Sequence, residues 1–178
     1  MRRFIAIPLP DWLRDELSLL DDDLPAARWT PPDQLHVTLR FIGDMPQGDR
    51  HLRSDLHGVR SSAFDMAAAG VGTFPGRGRA RVVWAGVDAP PALHQLQRRI
   101  ERVVRDSGVP PERRRFRPHI TLARIGPGVA DEAVTRFVLM HTLLRLPPFE
   151  VREFCLVGSI LRHDGARHHV VETYALDD

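Results

Sequence analysis

One order of elements occurs twice along this chain, and each time it carries the same tetrapeptide. His36-Val37-Thr38-Leu39 and His119-Ile120-Thr121-Leu122 lie 119 − 36 = 83 positions apart, nearly half of the 178 residues. Around the first copy, Leu13, Leu17 and Leu20 predict a helix over 11–21, and the His36 strand follows over 34–42. A helix over 47–59 aligns Leu52, Leu56 and Val59, and strands over 64–74 and 81–87 close the half. Around the second copy, Leu93, Leu96, Ile100, Val103 and Val104 make the clearest helical stripe of the chain, over 91–107, with Gly108 as its stop. The His119 strand over 116–125, a helix over 130–143 and strands over 149–161 and 168–176 follow, with Asp164-Gly165 as the hairpin signal between the last two. An additional strand over 2–9 precedes the first copy. A period this long is not that of a solenoid, whose repeats run about 20–50 residues. It predicts an α+β chain of two pseudo-symmetric lobes within one domain, 1–178, with repeat halves of approximately 1–88 and 89–178.

Side chains alternate faces along a strand, so His36 points with Thr38, and His119 with Thr121. If the lobes pack face to face, both strands line one cleft. Two imidazoles there are the least equipment for proton transfer at a phosphate near neutral pH without a metal: one takes a proton from the attacking group while the other gives one to the leaving group. A single His-x-Thr on a strand is more simply a half-buried packing residue beside a good strand former. Two copies at matching places in a duplicated pattern favour function.

The chain then resembles a known family over nearly its whole length. The residues that carry the resemblance are Arg3 to Pro10, Arg28-Trp29 with Pro32, Leu35-His36-Val37-Thr38-Leu39 with Phe41 and Gly43, Gly70 to Pro75, Arg81 to Val87, and above all Phe116-Arg117-Pro118-His119-Ile120-Thr121-Leu122-Ala123-Arg124. These are similar to the 2H phosphoesterases, and most of all to their RNA 2′,3′-cyclic phosphodiesterase branch, historically called bacterial and archaeal 2′-5′ RNA ligases. In the pair from Phe154 to Leu161 the family often has an acidic residue before the Ser, where this chain has Gly158-Ser159.

The resemblance implies a bilobal α+β fold with two antiparallel sheets, flanking helices and the active site in the cleft between them. It implies hydrolysis of an RNA 2′,3′-cyclic phosphate end to a 2′-phosphate end, with no cofactor. His119 is the implied proton acceptor and His36 the implied donor. Thr38 and Thr121 are implied hydrogen-bond partners of the non-bridging oxygens, Arg124 a phosphate-binding residue and Phe41 a stacking platform for the terminal base. In a pseudo-symmetric site the acid and base exchange if the substrate lies the other way. The reverse reaction joins a cyclic phosphate to a 5′ hydroxyl in a 2′-5′ bond. Phe41 and Arg124 each stand an odd number of residues from their His, so they reach the same face only if the strand bends or bulges after the tetrapeptide. Arg40, in phase with His36, is the rival phosphate contact, and Arg117 lies on the approach to His119. Two other readings stay open: a 2H enzyme for a different cyclic or 2′-5′ phosphodiester, and an RNA-end-binding module with little turnover.

Composition adds less. All 25 basic residues are Arg, which suits bidentate phosphate contacts but also follows from genome composition in a chain this rich in Ala and Pro. Two clusters stand out: Arg77-Gly78-Arg79-Ala80-Arg81 in an expected hairpin, and Arg113-Arg114-Arg115-Phe116-Arg117 before the second motif. The second run is expected to hold the RNA chain. Cys155 stands alone, so no intrachain disulfide forms and a reducing compartment is expected. The run Phe4 to Ile7 ends at Pro8 and is too short for a signal peptide, and no segment has the ~20 apolar residues of a membrane span. The expectation is a cytoplasmic monomer acting on RNA ends, such as those of tRNA fragments. His163, His168 and His169 have no Cys or well-spaced carboxylate to make a metal site with, and Gly76-Arg77-Gly78 lacks the Lys and spacing of a phosphate loop.

Overall fold

The structure, a computed structural model, describes residues 2–45, 47–76, 78–162 and 165–178. Arg77 of the first basic cluster, and His163 and Asp164 of the last hairpin, lie outside the described residues.

The strongest helical pattern gives the longest helix. Pro91–Asp106 starts with Pro at its first position and buries Leu93, Leu96, Ile100 and Val104 completely. Each such side chain contributes about 1.5–3 kcal/mol on leaving water. Gly108, at φ +85°, takes the left-handed position that ends it, and its N–H donates to the Arg105 carbonyl at 2.9 Å. This helix is α3 in chain order. The others are α1 (Asp11–Ser18), α2 (Arg50–Leu56) and α4 (Asp131–His141). The first is shorter than its apolar stripe suggests. Beyond Ser18 the chain tightens into a 3₁₀ turn over Leu19–Asp23, where three successive carboxylates oppose the negative end of a helix. The second starts late because Gly48 is at φ +83°, and the carboxylate of Asp49 bonds Arg3 Nε at 2.6 Å instead of capping.

The strands are β1 (Arg2–Pro8), β2 (Arg28–Trp29), β3 (His36–Asp44), β4 (Phe64–Pro75), β5 (Ala80–Asp88), β6 (His119–Arg124), β7 (Phe149–Val151), β8 (Glu153–Arg162) and β9 (Gly165–Ala175). Their order across the sheet is β7-β4-β5-β6-β3-β1-β8-β9, every pairing antiparallel, with β2 added against β6. The two motif strands meet in the middle, and Val37 opposite Ile120 is the one register pair between them. One lobe is therefore β3-β1-β8-β9 and the other β7-β4-β5-β6. Each draws on both sequence halves: β5 of the first pairs β6 of the second, and β8 of the second pairs β1 of the first.

The apolar run over 149–161, read as one strand, is two. It breaks at Arg152, whose carbonyl accepts from Leu176 N at 2.7 Å while its guanidinium reaches Glu150 and Asp178. Its first piece pairs β4 at one end of the sheet order and its second pairs β1 near the other. One residue between them spans only about 7 Å, so the sheet curls until its ends approach. Asp177 completes the stitch, pairing with Ser61 and Ala63 just before β4.

One face of this curl packs on the helices. Ile5, Ile7, Val37, Val83, Ala85 and Ile120 join Leu13, Leu17, Leu52, Leu56 and the α3 stripe in a single core. Among these apolar groups lies one buried charge. Arg40, only 6% exposed, donates to Glu101 of α3 and to the carbonyls of Phe41 and Pro110. Its sequence phase made it a candidate phosphate contact; the structure corrects this, because the strand bulges just before it and turns it inward. Removing one member of a buried pair leaves the other charge unpaired. Arg40→Met is expected to lower unfolding stability by about 2–3 kcal/mol, less than a fully buried pair because Glu101 keeps 20% exposure. Adding Glu101→Leu is expected to recover more than half of it. Urea denaturation checks both, and a single variant as stable as the parent would contradict the ion pair.

Candidate active site

Both His-x-Thr strands present one face to solvent for the same reason. Val37 and Ile120 are opposite one another, and both are 0% exposed in the core. Paired residues share a face and their neighbours take the other. His36, Thr38, His119 and Thr121 therefore all lie on the face away from the helices, around the seam, and all four are half-buried. The burial sequence of the six residues from His36 matches that of the six from His119, position by position.

Each strand then bulges at the Leu of its tetrapeptide. On β3, Thr38 pairs Ala6 but Arg40 pairs Ile5, so Leu39 is the extra residue. On β6, Thr121 pairs Trp84 but Ala123 pairs Val83, so Leu122 is the extra one. Two residues opposing one is a β-bulge, and it reverses the phase of the residues after it. Phe41 comes opposite Phe4, on the His36 face, and Arg124 comes opposite Val82, on the His119 face. The bulges thus supply the bend that Phe41 and Arg124 require. Both side chains are exposed, Phe41 at 54%, with its ring 5.9 Å from that of Phe4.

Each imidazole is tied back to its own backbone in the same way. His36 Nδ1 lies 2.7 Å from the Gln34 carbonyl, and His119 Nδ1 lies 2.6 Å from that of Arg117. A carbonyl only accepts, so each Nδ1 carries hydrogen and each Nε2 is left for chemistry. The Thr38 hydroxyl is 3.1 Å from His36 Nε2 and donates to it when the ring is neutral. Arg117, whose side chain is exposed, thus holds His119 through its main chain.

The surroundings pull both imidazoles toward the neutral form. Burial lowers His36 from the usual 6.5 to about 4, opposed by the Gln34 carbonyl and reinforced by the nearby imidazoles of His168 and His119. Burial lowers His119 in the same direction, and the Arg117 carbonyl opposes it. The aromatic walls differ. His36 stacks on Phe4 at 4.9 Å, with the His168 ring edge-on at 5.5 Å. His119 meets the Phe74 ring edge-on at 4.7 Å and the tilted Trp84 ring at 6.5 Å. Trp84 fits because Gly72 lies beneath it, where a Cβ would come within 2.4 Å of the indole. Gly86, opposite His119, has Ala69 O where its own Cβ would be, at 2.4 Å.

The basic run over 113–117 lies in the irregular segment before β6. Arg113 and Arg115 are exposed, while Arg114 is engaged by Glu112 and holds that carboxyl down to about 2. Among the described residues no group of three or more His, Cys, Asp or Glu is placed to hold a metal ion, and no helix is long and apolar enough to cross a membrane. Sequence reasoning missed β2, the rings of Phe4, Phe74 and Trp84 beside the imidazoles, and the approach of His168 to His36. Phase within β9 was the available signal for His168, but it becomes usable only once the β8–β9 register is known.

Comparison with known proteins agrees with this geometry. The family model of the 2′-5′ RNA ligase superfamily matches residues 13–160. A Geobacillus stearothermophilus protein named RNA 2′,3′-cyclic phosphodiesterase is 33% identical over 81% of this chain, which spans about half (49%) of that relative's length. An Escherichia coli protein of the same name is 31% identical over 98% of this chain and 96% of its own. The solved structure of Escherichia coli LigT complexed with 3′-AMP superimposes with a TM-score of 0.80, at 27% identity, covering 99% of this chain and 98% of LigT. With the family model spanning most of its length and both His-x-Thr strands meeting on one face, this chain belongs to the 2′-5′ RNA ligase superfamily of 2H phosphoesterases.

Proposed function

We propose that this protein is a phosphodiesterase that opens RNA 2′,3′-cyclic phosphate ends to 2′-phosphate ends by two-histidine acid–base catalysis, without a metal. One observation carries the reading: two strands, each bulged at the Leu of its tetrapeptide, set two imidazoles on one face, each with Nδ1 tied to its own backbone so that Nε2 is the nitrogen left to take or give a proton. Water attacks phosphorus as His119 Nε2 takes its proton; the P–O3′ bond breaks and His36 Nε2 gives a proton to the 3′ oxygen. Each transfer contributes about 10²–10⁴-fold. Thr38 and Thr121 hold the non-bridging oxygens, Arg124 binds the phosphate and Phe41 stacks on the terminal base. Arg117 lies where the strand of RNA would enter. Before substrate binds, His36 is neutral near pH 7. The donor role requires its protonated form, which the negative charge of an arriving phosphodiester favours. The same constellation run backwards gives 2′-5′ ligation. We place the protein in the cytoplasm, as a monomeric single domain acting on RNA ends such as tRNA fragments.

Hydrolysis of a short oligoribonucleotide with a 2′,3′-cyclic phosphate end, in excess EDTA, tests the reading. The expected product is the 2′-phosphate. A 3′-phosphate product, or no turnover, would contradict it, and turnover of only cyclic mononucleotides would favour a different 2H substrate.

The pH dependence is set by the two imidazoles. kcat/KM reports the free enzyme and needs one ring protonated and the other neutral, so it is bell-shaped whichever is the acid. Because both rings are lowered, His36 to about 4, activity falls below about pH 4 and also above the lowered His119 value. The maximum is expected on the acid side of pH 6.5, and the kcat profile, with phosphate bound, should move to higher pH. A kcat/KM maximum above pH 7 would show that the free imidazoles are not depressed.

Exposed Arg113 and Arg115 should also track the RNA backbone. Changing both to Ser is expected to flatten the slope of log Kd against log salt by about 1.4, at roughly 0.7 per phosphate contact on single strands. An unchanged slope would remove them from the RNA path.

A further inference from the structure

Among the described residues, the His36 side of the cleft carries an imidazole that the His119 side lacks. His168 lies opposite Ser159, which lies opposite Arg2, in the file that on β8 includes Val157 and Cys155 opposite Phe4 and Ala6. That is the face carrying His36. The His168 ring stands edge-on to Phe4 at 5.0 Å and to His36 at 5.5 Å. Around His119 the corresponding walls are Phe74 and Trp84, with no third imidazole among the described residues.

The polar atoms of His168 are unequal. Its Nδ1 is buried without a hydrogen-bond partner among the described residues, while the residue as a whole is only half-buried. A buried N–H lacking an acceptor is the costlier defect, so Nδ1 keeps a bare lone pair and the hydrogen resides on Nε2. Protonation would place hydrogen on both nitrogens, and burial resists it, opposed by the charge of Asp33. Beside His36 and Phe4 the cleft thus holds a neutral ring with one N–H donor.

We propose that His168 is a specificity-determining residue of the His36 half-site, donating from Nε2 to an acceptor on the terminal nucleoside of the substrate. This rests on the phosphodiesterase reading above, and it adds to the stacking of Phe41 a directional contact that holds the nucleoside on the Phe41 side. A donor at one end only widens the difference between the two orientations of a substrate that Phe41 and Arg124 already set.

Calorimetric titration with adenosine 2′-phosphate, ribose 2-phosphate and inorganic phosphate tests it without requiring turnover. His168→Phe keeps a ring against Phe4 and removes the donor. It is expected to weaken adenosine 2′-phosphate about five- to tenfold, the scale of one hydrogen bond, and to leave inorganic phosphate unchanged. A parallel loss for ribose 2-phosphate assigns the acceptor to the sugar; its absence assigns it to the base. His168→Gln, which restores an N–H, is expected to recover part of the affinity and carries the test if the Phe variant unfolds. On the cyclic-ended oligonucleotide the loss should fall on KM rather than kcat. Equal weakening of phosphate and nucleotide, a loss of kcat at the pH optimum with KM unchanged, or no loss at all would overturn the assignment. A parent that binds adenosine 2′-phosphate through His168 yet opens no cyclic phosphate would sink the phosphodiesterase reading alone. A parent that binds no nucleotide would sink both.

Discussion

The cleft depends on one contact, the pairing of Val37 with Ile120. It is the sole register pair joining the motif strands, and it lies at the centre of a sheet whose outer ends are separately stitched. Both side chains are fully buried on the helical face, so the residues on either side of each must face out. Two imidazoles and two hydroxyls are thereby fixed on one surface by burial of aliphatic groups; the bond of Thr38 to His36 Nε2 joins groups of one strand and does not set which face they share. A one-residue slip at this seam would exchange the faces of one motif and bury its imidazole in the core.

The bulges at Leu39 and Leu122 are the second constraint. Each leaves a buried Leu and returns the strand in the opposite phase, which turns Phe41 and Arg124 outward and Arg40 inward. The inward Arg40 would be a costly buried charge without partners. Glu101 and the carbonyls of Phe41 and Pro110 supply them, and Glu101 also accepts the Glu112 N–H at 3.3 Å. The residue that the bulge removes from the cleft thus fastens α3, the first motif and the segment leading to the second. Where the duplicated pattern is least faithful, in the rings around each imidazole, the two half-sites acquire different partners.

What was legible in the sequence is what local physics decides. α3 was readable almost to the residue because its stripe, its opening Pro and its closing Gly agree. The motif strands were readable because the His-x-Thr period is that of a strand. The division of 149–161 into β7 and β8 was not, because a continuous apolar run carries no signal for a change of partner. The late start of α2 was hidden in the bond between Asp49 and Arg3, 46 residues away. The bulges were illegible because a two-against-one match belongs to a pair of strands, and the phase of Arg40 misled for that reason. The family resemblance placed Phe41 and Arg124 beside the cleft where strand periodicity alone opposed it.

The central claim is that His36 and His119 act as one unit on a single phosphorus. Residues that act as a unit lose function non-additively. The most direct measurement is kcat/KM on a cyclic-phosphate-ended oligonucleotide for His36→Ala, His119→Ala and the double variant. The two-imidazole mechanism predicts that each single change removes most of the acceleration and that the double variant is scarcely slower than the worse single one. Losses that multiply in the double variant, or a single variant near the parent rate, would contradict it.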